Sequence, residues 1–236
     1  MDDKDFISTV SHELRTPLTS IRGFSQTMLN SWDKLDDDSK KRFLKIIEDQ
    51  SNRLIGLVEN MLSVSKLQNE NFNFVYKLSN LKNIIEPVIS LIKSSYQTHN
   101  FIFEYNKQIP EISVDRDKFQ QIMTNLIENA AKYSEENSTI KIIVTTVKEN
   151  VSIKVIDNGV GISPEHFEQI FTKFSRIDNP LTRKVQGSGL GLYITKTLIE
   201  NMGGSINVSS NNGETVFEIL MPIKSVEDQA RLKCKQ

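Results

Sequence analysis

Apolar residues in the first 70 positions recur at helical spacing and do not alternate as they would in a strand. Two sets step by three and four residues in strict alternation, which is the spacing of a coiled-coil seam. They are Ile7, Val10, Leu14, Pro17, Ile21, Phe24 and Met28, and then Phe43, Ile47, Gln50, Leu54, Leu57, Met61 and Val64. The intervening segment SWDKLDDDSK supplies turn and N-cap residues, with acidic residues and Ser39 ahead of the second helix. The pattern predicts a helical hairpin.

The apolar stripe of this hairpin is wider than a two-stranded seam, because Leu44, Ile46, Val58 and Leu62 extend it. A second copy of the chain would bury this surface in a dimeric four-helix bundle. The alternative is a two-helix arm that folds back on the rest of the same chain. The dimer is the favoured interpretation.

The pattern changes near Tyr76, where strand-like apolar runs begin to alternate with helical stretches. The runs are FIFEY, TIKIIVTTV, VSIKVID, GSINVSS and TVFEILMPI, and the helical stretches lie near 80–98, 115–133, 164–170 and 189–202. Asn211, Asn212 and Gly213 between the last two runs predict a β-hairpin. We expect an α+β fold overall, in which the second part is a sandwich of a mixed sheet covered by helices on one face.

These patterns divide the chain into a helical domain over 1–70, an α/β domain over 71–224 and a polar tail over 225–236. A flexible joint is expected near 67–74, where helical apolar spacing gives way to polar residues.

The bulk composition excludes several classes of protein. The formal net charge is -1, which provides no general field for nucleic acid. The single cysteine, Cys234, excludes an internal disulfide framework and suits a reducing compartment. No run approaches the roughly 20 apolar residues of a membrane span, and the acidic start is not a signal peptide. Any membrane attachment is therefore expected to lie outside these residues, with this part of the protein on the cytoplasmic side.

His12 occupies heptad position f when Ile7 is placed at a, so its side chain is predicted to point away from the seam. Thr16 lies one turn further on the same face. Pro17 within the helix cannot donate to the carbonyl of Glu13 and should loosen that turn. Glu13 would hydrogen-bond one ring nitrogen of His12 and leave the other as a nucleophile. A solvated surface histidine is the alternative interpretation.

The segment from Asn125 to Tyr133 places Asn125 and Asn129 four residues apart on one helix face. An asparagine oxygen is a suitable ligand for a Mg²⁺ ion that keeps several waters and bridges phosphates, and Lys132 adds a charge for phosphate. The alternative interpretation is that Asn125 and Asn129 are ordinary surface residues, because two asparagines alone do not identify a metal site.

Asp157 ends a predicted strand and is followed by Gly159 and Gly161. A carboxylate at a strand end, with glycines that allow close backbone approach, can accept a hydrogen bond from an amino group such as that of adenine. An ordinary β-turn is the alternative.

A glycine-rich loop precedes the last predicted helix. Its residues are Gly187, Ser188, Gly189, Leu190 and Gly191. Glycines ahead of a helix N-terminus expose backbone N–H groups that can hold phosphate. The polar, basic segment before the loop suits a mobile lid, in which Arg176, Arg183 and Lys184 could close on phosphates. For Arg183 and Lys184, ordinary surface charge is an equally good interpretation.

These strings together resemble the conserved boxes of sensor histidine kinases. FISTVSHELRTPLTSIRGF resembles the H-box, NLIENAAKY the N-box of the GHKL ATPase superfamily, DNGVGI the G1 box, FTKFSRI the F-box and GSGLGL the G2 box. They occur in the family's order over residues 5 to about 223. The resemblance implies that His12 is the phosphoacceptor, that Glu13 is its base, and that Thr16 assists dephosphorylation of the partner.

The same resemblance implies ATP and Mg²⁺ as cofactors, with Asn129 as the metal ligand, and a response regulator as the partner. It implies autophosphorylation of a histidine, phosphotransfer to an aspartate and phosphatase activity towards the regulator. The context also resembles bacterial or plastid sensor kinases. Rival hypotheses are a GHKL ATPase that drives a clamp, which leaves the His12 helix unexplained, and a dimeric scaffold whose nucleotide site only signals occupancy.

Overall fold

A computed structural model describes residues 3–67, 73–106, 108–175, 177, 187–211 and 213–223 of the chain. The chain divides between residues 68 and 69 into two compact units. We call the first the helical unit and the second the sheet unit. The predicted joint near 67–74 falls largely on residues 68–72, and the predicted tail on residues beyond 223; both lie outside the described residues.

The helical unit is a hairpin of two long helices, as the heptad pattern predicts. Helix α1 spans Asp3–Ser31, a short 3₁₀ turn spans Trp32–Lys34, and α2 spans Asp37–Leu67. The backbone N–H of Ser39 donates to the carboxylate of Asp36 at 2.6 Å, which lowers the pKa of that carboxyl. Asp36 is therefore the residue that caps α2, and Ser39 lies within the first turn.

The seam predicted from the heptads forms the contact between α1 and α2. Pro17, Met28, Leu57 and Val64 are buried along it, and the rings of Phe24 and Phe43 lie 5.1 Å apart between centroids. Helix α1 continues through Pro17. Of the residues that widen the stripe, Leu44, Val58 and Leu62 are exposed and Ile46 is partly buried. Leu18, Leu29 and Ile55 are also exposed on the two helices.

In the residues that the structure describes, the sheet unit contains seven strands and three longer helices. In chain order these are β1 (Tyr76–Ser79), α3 (Lys82–Ser95), β2 (Asn100–Tyr105), β3 (Ile112–Asp115), α4 (Arg116–Tyr133), β4 (Thr139–Val147), β5 (Asn150–Asp157), α5 (Gly191–Asn201), β6 (Ser205–Asn211) and β7 (Glu214–Pro222). Two 3₁₀ turns, Pro164–His166 and Gln169–Phe171, lie between β5 and α5.

Five strands form a mixed sheet in the order β2-β4-β5-β7-β6, in which only β2 and β4 pair in parallel. Strand β7 alternates strictly, burying Thr215, Phe217, Ile219 and Met221. Helices α3, α4 and α5 contact one another in sequence and pack on strands of this sheet. The predicted α+β architecture is confirmed.

Two details differ from the sequence prediction, and a third agrees with it. Strands β1 and β3 form a separate antiparallel pair that the pattern did not predict. The helix predicted near 164–170 is only two 3₁₀ turns. The hairpin predicted at Asn211 is present, since Asn211 pairs with Glu214 at the end of β6 and β7.

In the described part of the chain, no helix combines the length and apolarity needed to cross a membrane.

Candidate active site

The side chains of His12 and Thr16 are both exposed on α1, as their heptad positions predict. The hydroxyl of Thr16 donates to the carbonyl of His12 at 3.2 Å. This contact draws the Thr16 hydroxyl back along the helix, towards the turn that carries the imidazole. The two groups therefore share one accessible patch of the helix.

Glu13 lies between the exposed face and the seam, and its carboxylate is turned towards α2. Nη2 of Arg53 donates to Oε2 of Glu13 at 3.3 Å, and the two side chains are 20% and 21% exposed. Within the described residues, no hydrogen bond joins this carboxylate to the His12 ring. The bond predicted between Glu13 and the imidazole is thus replaced here by an ion pair across the hairpin.

The sheet unit contains a cavity of about 300 Å³ between α4, β5, β7 and the start of α5. Its walls are mostly apolar. The lining residues are Asn129, Ala130, Tyr133, Asp157, Val160, Gly161, Ile162, Ile170, Ser175, Ile177, Leu192, Thr215 and Phe217. An apolar cavity of this size with a few converging polar groups suits a flat heteroaromatic ligand.

Asp157 is the acidic group of the cavity and is only 4% exposed. Burial raises the pKa of its carboxyl from 3.8 to about 6, although the backbone N–H of Gly159 donates to Oδ1 at 2.9 Å and opposes the rise. Asp157 lies opposite Thr215 in the β5–β7 ladder. The site therefore holds a desolvated carboxylate beside a buried hydroxyl, and this is a strong acceptor for a ligand N–H group.

Asn125 does not line the cavity. Its amide donates to the hydroxyl of buried Thr195 at 2.8 Å, and its side chain lies directly against Gly191. A Cβ at Gly191 would collide with that amide. In this structure Asn125 therefore fixes α4 against the beginning of α5, and the nucleotide contact predicted for Asn125 stays a prediction.

Lys132 pairs with Glu128 one turn earlier on α4, at 2.9 Å, and is absent from the cavity lining. The side chain of Leu190 is fully buried, so only its backbone can face a ligand. Leu192 in the first turn of α5 does line the cavity. The N-terminus of α5 therefore lies at the cavity edge, where its N–H groups can hold anionic groups.

Gly189 packs backbone to backbone against the segment around Phe174. A Cβ built on Gly189 would lie 2.8 Å from Cα of Phe174, and Gly189 has a φ of +68°. Phe174 itself has a φ of +58°, which is uncommon for a bulky residue. The F-box and the G2 loop are therefore held together at this contact, directly beside Ser175 on the cavity wall.

Some predicted groups fall outside the described residues, and several cavity residues, Thr215 among them, were not predicted. Arg176, Arg183 and Lys184 lie outside the described residues. Thr215 was not predicted, although the strict alternation of β7 places it on the same face as Phe217. The antiparallel pairing of β7 with β5, which brings Thr215 next to Asp157, could not be predicted from local pattern.

Comparison with known families identifies the chain. A model described as the His Kinase A (phospho-acceptor) domain matches residues 2–70, and one described as Histidine kinase-, DNA gyrase B-, and HSP90-like ATPase matches residues 114–225. This chain belongs to the sensor histidine kinase family. His12 lies in the first matched region, and Asn129 and Asp157 lie in the second. The resemblance predicted from the motifs is confirmed.

Curated sensor kinases are similar along nearly the whole chain. Sensor protein SrrB of Staphylococcus aureus (strain NCTC 8325) is 37% identical over 232 residues, which is 93% of this chain and 38% of SrrB. SrrB from strain N315 is 36% identical over the same share. The chain thus spans 38% of the length of these relatives.

Solved histidine kinases share the fold. Acinetobacter baumannii histidine kinase AdeS superposes with a TM-score of 0.71 at 26% identity, covering 91% of this chain and 98% of the AdeS chain. Histidine kinase ThkA, solved in complex with response regulator protein TrrA, superposes with a TM-score of 0.76 at 28% identity, covering 93% of this chain and 61% of that chain.

Proposed function

We propose that this kinase transfers the γ-phosphoryl group of ATP to His12 and then to an aspartate of a response regulator. The observation that carries the proposal is an accessible histidine on a helix of the phosphoacceptor family, encoded in one chain with an ATPase-family cavity. A clamp ATPase would need the cavity but not that helix. The complex of ThkA with TrrA supports a receiver-type partner.

Adenine would enter the cavity with its amino group towards Asp157. Oδ1 of Asp157 already accepts from the backbone N–H of Gly159, so Oδ2 would accept from the amino group. The apolar walls around Ile162, Ile170 and Phe217 would cover the faces of the ring. Thr215 beside Asp157 can bond a further ring nitrogen.

The phosphates would extend from the cavity towards α5. Backbone N–H groups at the start of α5 and in the loop from Gly187 would hold them, and Lys132 would add charge by leaving Glu128. The side chain of Asn129 lines the cavity, and its amide oxygen fits a Mg²⁺ ion that keeps most of its waters. When bound, Mg²⁺ neutralises phosphate charge.

In the chemical step, a ring nitrogen of His12 would attack the γ-phosphorus in line. The bond from phosphorus to the β–γ bridging oxygen breaks, ADP leaves with that electron pair, and the imidazole loses its N–H proton to Glu13. In the second step, an aspartate oxygen attacks phosphorus, the P–N bond breaks with its electron pair left on the ring, and Glu13 returns the proton to the imidazole. Positioning supplies most of the rate.

Phosphatase activity towards the regulator is a second proposed activity. Thr16 is exposed one turn from His12, so a receiver docked on this face would meet both groups. The Thr16 hydroxyl would orient the water that attacks the acyl phosphate.

The helical unit is proposed to form a homodimeric bundle. The exposed positions Ile55, Val58 and Leu62 follow helical spacing on α2, and a second copy would bury them. In the parent protein we propose that this kinase part lies on the cytoplasmic side of a sensor region outside the chain.

Labelling of the wild-type chain tests the proposed function. Incubation with Mg²⁺ and γ-³²P-ATP should produce a phosphoprotein whose label is lost in acid and kept in alkali, as expected for a P–N bond. Adding an isolated receiver domain should move the label to that protein. Steady ATP hydrolysis without a labelled chain would instead favour the clamp ATPase.

Adenosine affinity is expected to fall about three- to tenfold between pH 7.5 and pH 5, because protonation of Asp157 weakens a charge-assisted hydrogen bond. The pKa of about 6 places this loss between those two values. Adenosine is the appropriate probe, since the phosphates of ATP titrate in the same range. Titration followed by NMR measures the affinity. An affinity that is unchanged or higher at pH 5 would exclude Asp157 as the acceptor.

A further inference from the structure

Arg53 is a partly buried cation with one counter-charge in the described part of the helical unit. Its side chain is 20% exposed, its Nη2 donates to Glu13, and its Nε is buried without a hydrogen-bond partner among the described residues. A guanidinium that is partly removed from water is stabilised by a carboxylate at this distance. Arg53 therefore keeps the Glu13 carboxylate turned towards α2.

The heptad positions explain why these two residues meet. Glu13 follows His12 at position f and so occupies g on α1, and the seam residue Leu54 places Arg53 at g on α2. In an antiparallel pair of helices, g positions of the two helices flank the same side of the seam. The contact is therefore built into the register of the hairpin and does not depend on a mobile loop.

The Glu13 carboxylate has two competing uses. Under the proposed function it accepts a proton from the His12 ring, whereas in this structure it is bonded to Arg53. We infer that Arg53 is a positioning residue that withholds Glu13 from His12 and thereby restrains autophosphorylation. This inference rests on the proposed function, in which Glu13 is the base.

Release of Glu13 requires only a local change. A small shift of α1 along α2 lengthens a contact that is already 3.3 Å. A signal that moves the two helices past one another would therefore change how often Glu13 reaches the imidazole. Arg53 couples that helix movement to the chemistry of His12.

Substitution of Arg53 tests this. Arg53→Met removes the charge but keeps an apolar stem, and the initial rate of His12 phosphorylation at saturating Mg·ATP should rise about two- to fivefold, the range of a partly exposed ion pair. The apparent KM for ATP should not change. Arg53→Lys keeps the charge without the planar fork and should give a smaller rise. Exposed Arg42→Met is the matched control and should behave as wild type.

Glu13 must mediate the effect, and NMR can show this without activity. The chain has three histidines, so the ring ¹⁵N resonances of His12 can be followed beside His99 and His166. They should move in Arg53→Met and return towards the wild-type positions in Arg53→Met/Glu13→Gln, while the other two histidines stay unchanged.

Unchanged His12 ring resonances in folded Arg53→Met would overturn the inference, and so would a rate that falls or stays the same. A rise of equal size in the Glu13→Gln background would also overturn it. Circular dichroism confirms that each variant folds. If the wild type itself acquires no acid-labile label, the proposed function fails instead, whatever the resonances show.

Discussion

Replacing His12 with glutamine is expected to reduce acid-labile labelling of the chain to background while ATP binding stays intact. A glutamine amide has no basic lone pair that can attack phosphorus, so the first chemical step has no nucleophile. His12 is exposed on the outer face of α1, and glutamine is a good helix former. The stability of the helical unit should therefore change by less than about 0.5 kcal/mol.

The control for this experiment is the same substitution at another histidine. His166→Gln lies in the sheet unit, where the ring bonds Gln169 at 2.9 Å, and it should retain labelling. Labelling is measured after gel separation with γ-³²P-ATP, and nucleotide binding by calorimetry. Acid-labile label that persists in His12→Gln at the wild-type rate would place the phosphoacceptor elsewhere.

Replacing Asp157 with asparagine is expected to weaken ATP binding by about 10²-fold. The amide oxygen can still accept from the backbone N–H of Gly159, but the NH₂ group then faces the amino group of adenine. Two donors facing one another in a buried site lose the hydrogen bond and leave both unpaired, which costs about 2–3 kcal/mol. Calorimetry with ATP and Mg²⁺ measures the change. Wild-type affinity in Asp157→Asn would exclude the proposed adenine contact.

The same substitution should stabilise the sheet unit at neutral pH. The pKa of Asp157 is raised from 3.8 to about 6 in the folded protein, so burial of the charged form opposes folding above pH 6. At about 1.4 kcal/mol per pH unit, the difference corresponds to about 3 kcal/mol. The neutral amide avoids this cost, and we expect a gain of about 1–3 kcal/mol. Loss of binding with a gain in stability identifies a group kept for function.

The pH dependence of the free energy of unfolding tests the sign of this effect independently. A carboxyl with a raised folded-state pKa contributes its full stability below 3.8 and loses it as the pH rises through about 6. The advantage of Asp157→Asn should therefore be present at pH 8 and shrink towards pH 4. Exposed Asp117→Asn is the control and should change the free energy of unfolding by less than about 0.5 kcal/mol at both values.

Intrinsic fluorescence can report the two units separately. The chain has one tryptophan, Trp32 in the helical unit, and its five tyrosines all lie in the sheet unit, at Tyr76, Tyr96, Tyr105, Tyr133 and Tyr193. The tyrosine-monitored urea transition should move to higher denaturant in Asp157→Asn, and the tryptophan-monitored transition should stay in place. A tyrosine transition at lower denaturant at pH 8 would contradict the prediction.

The sequence predicted those elements whose burial follows a regular period. The a and d positions of α1 and α2 and the alternation in β4, β5 and β7 predict elements that the structure contains. Strand β3 was missed because all four of its residues are buried, which removes the alternation, and β1 has only four residues. The stretch at 164–170 contains apolar residues at helical spacing but forms only isolated turns.

The site was predictable in its residue types and less so in its contacts. The motif strings identified His12, Asn129 and Asp157, because each of these residues lies in a string that resembles a family box and the strings follow the family's order. The pairing of Asn125 with Thr195 depends on how α4 meets α5, and no local pattern records it. The Glu13–Arg53 ion pair could have been predicted from the sequence, because both residues occupy g positions that flank the seam.

The contact between Phe174 and Gly189 closes the base of the chain segment that runs from residue 175 to 188. A side chain at residue 189 would have to push these two backbones apart, because a Cβ there would lie 2.8 Å from Cα of Phe174. Gly187 differs, since nothing lies within 4 Å of the position where its Cβ would be. If the two positions were randomised together, we therefore expect variants that keep nucleotide affinity to retain glycine at 189 and to accept small side chains at 187.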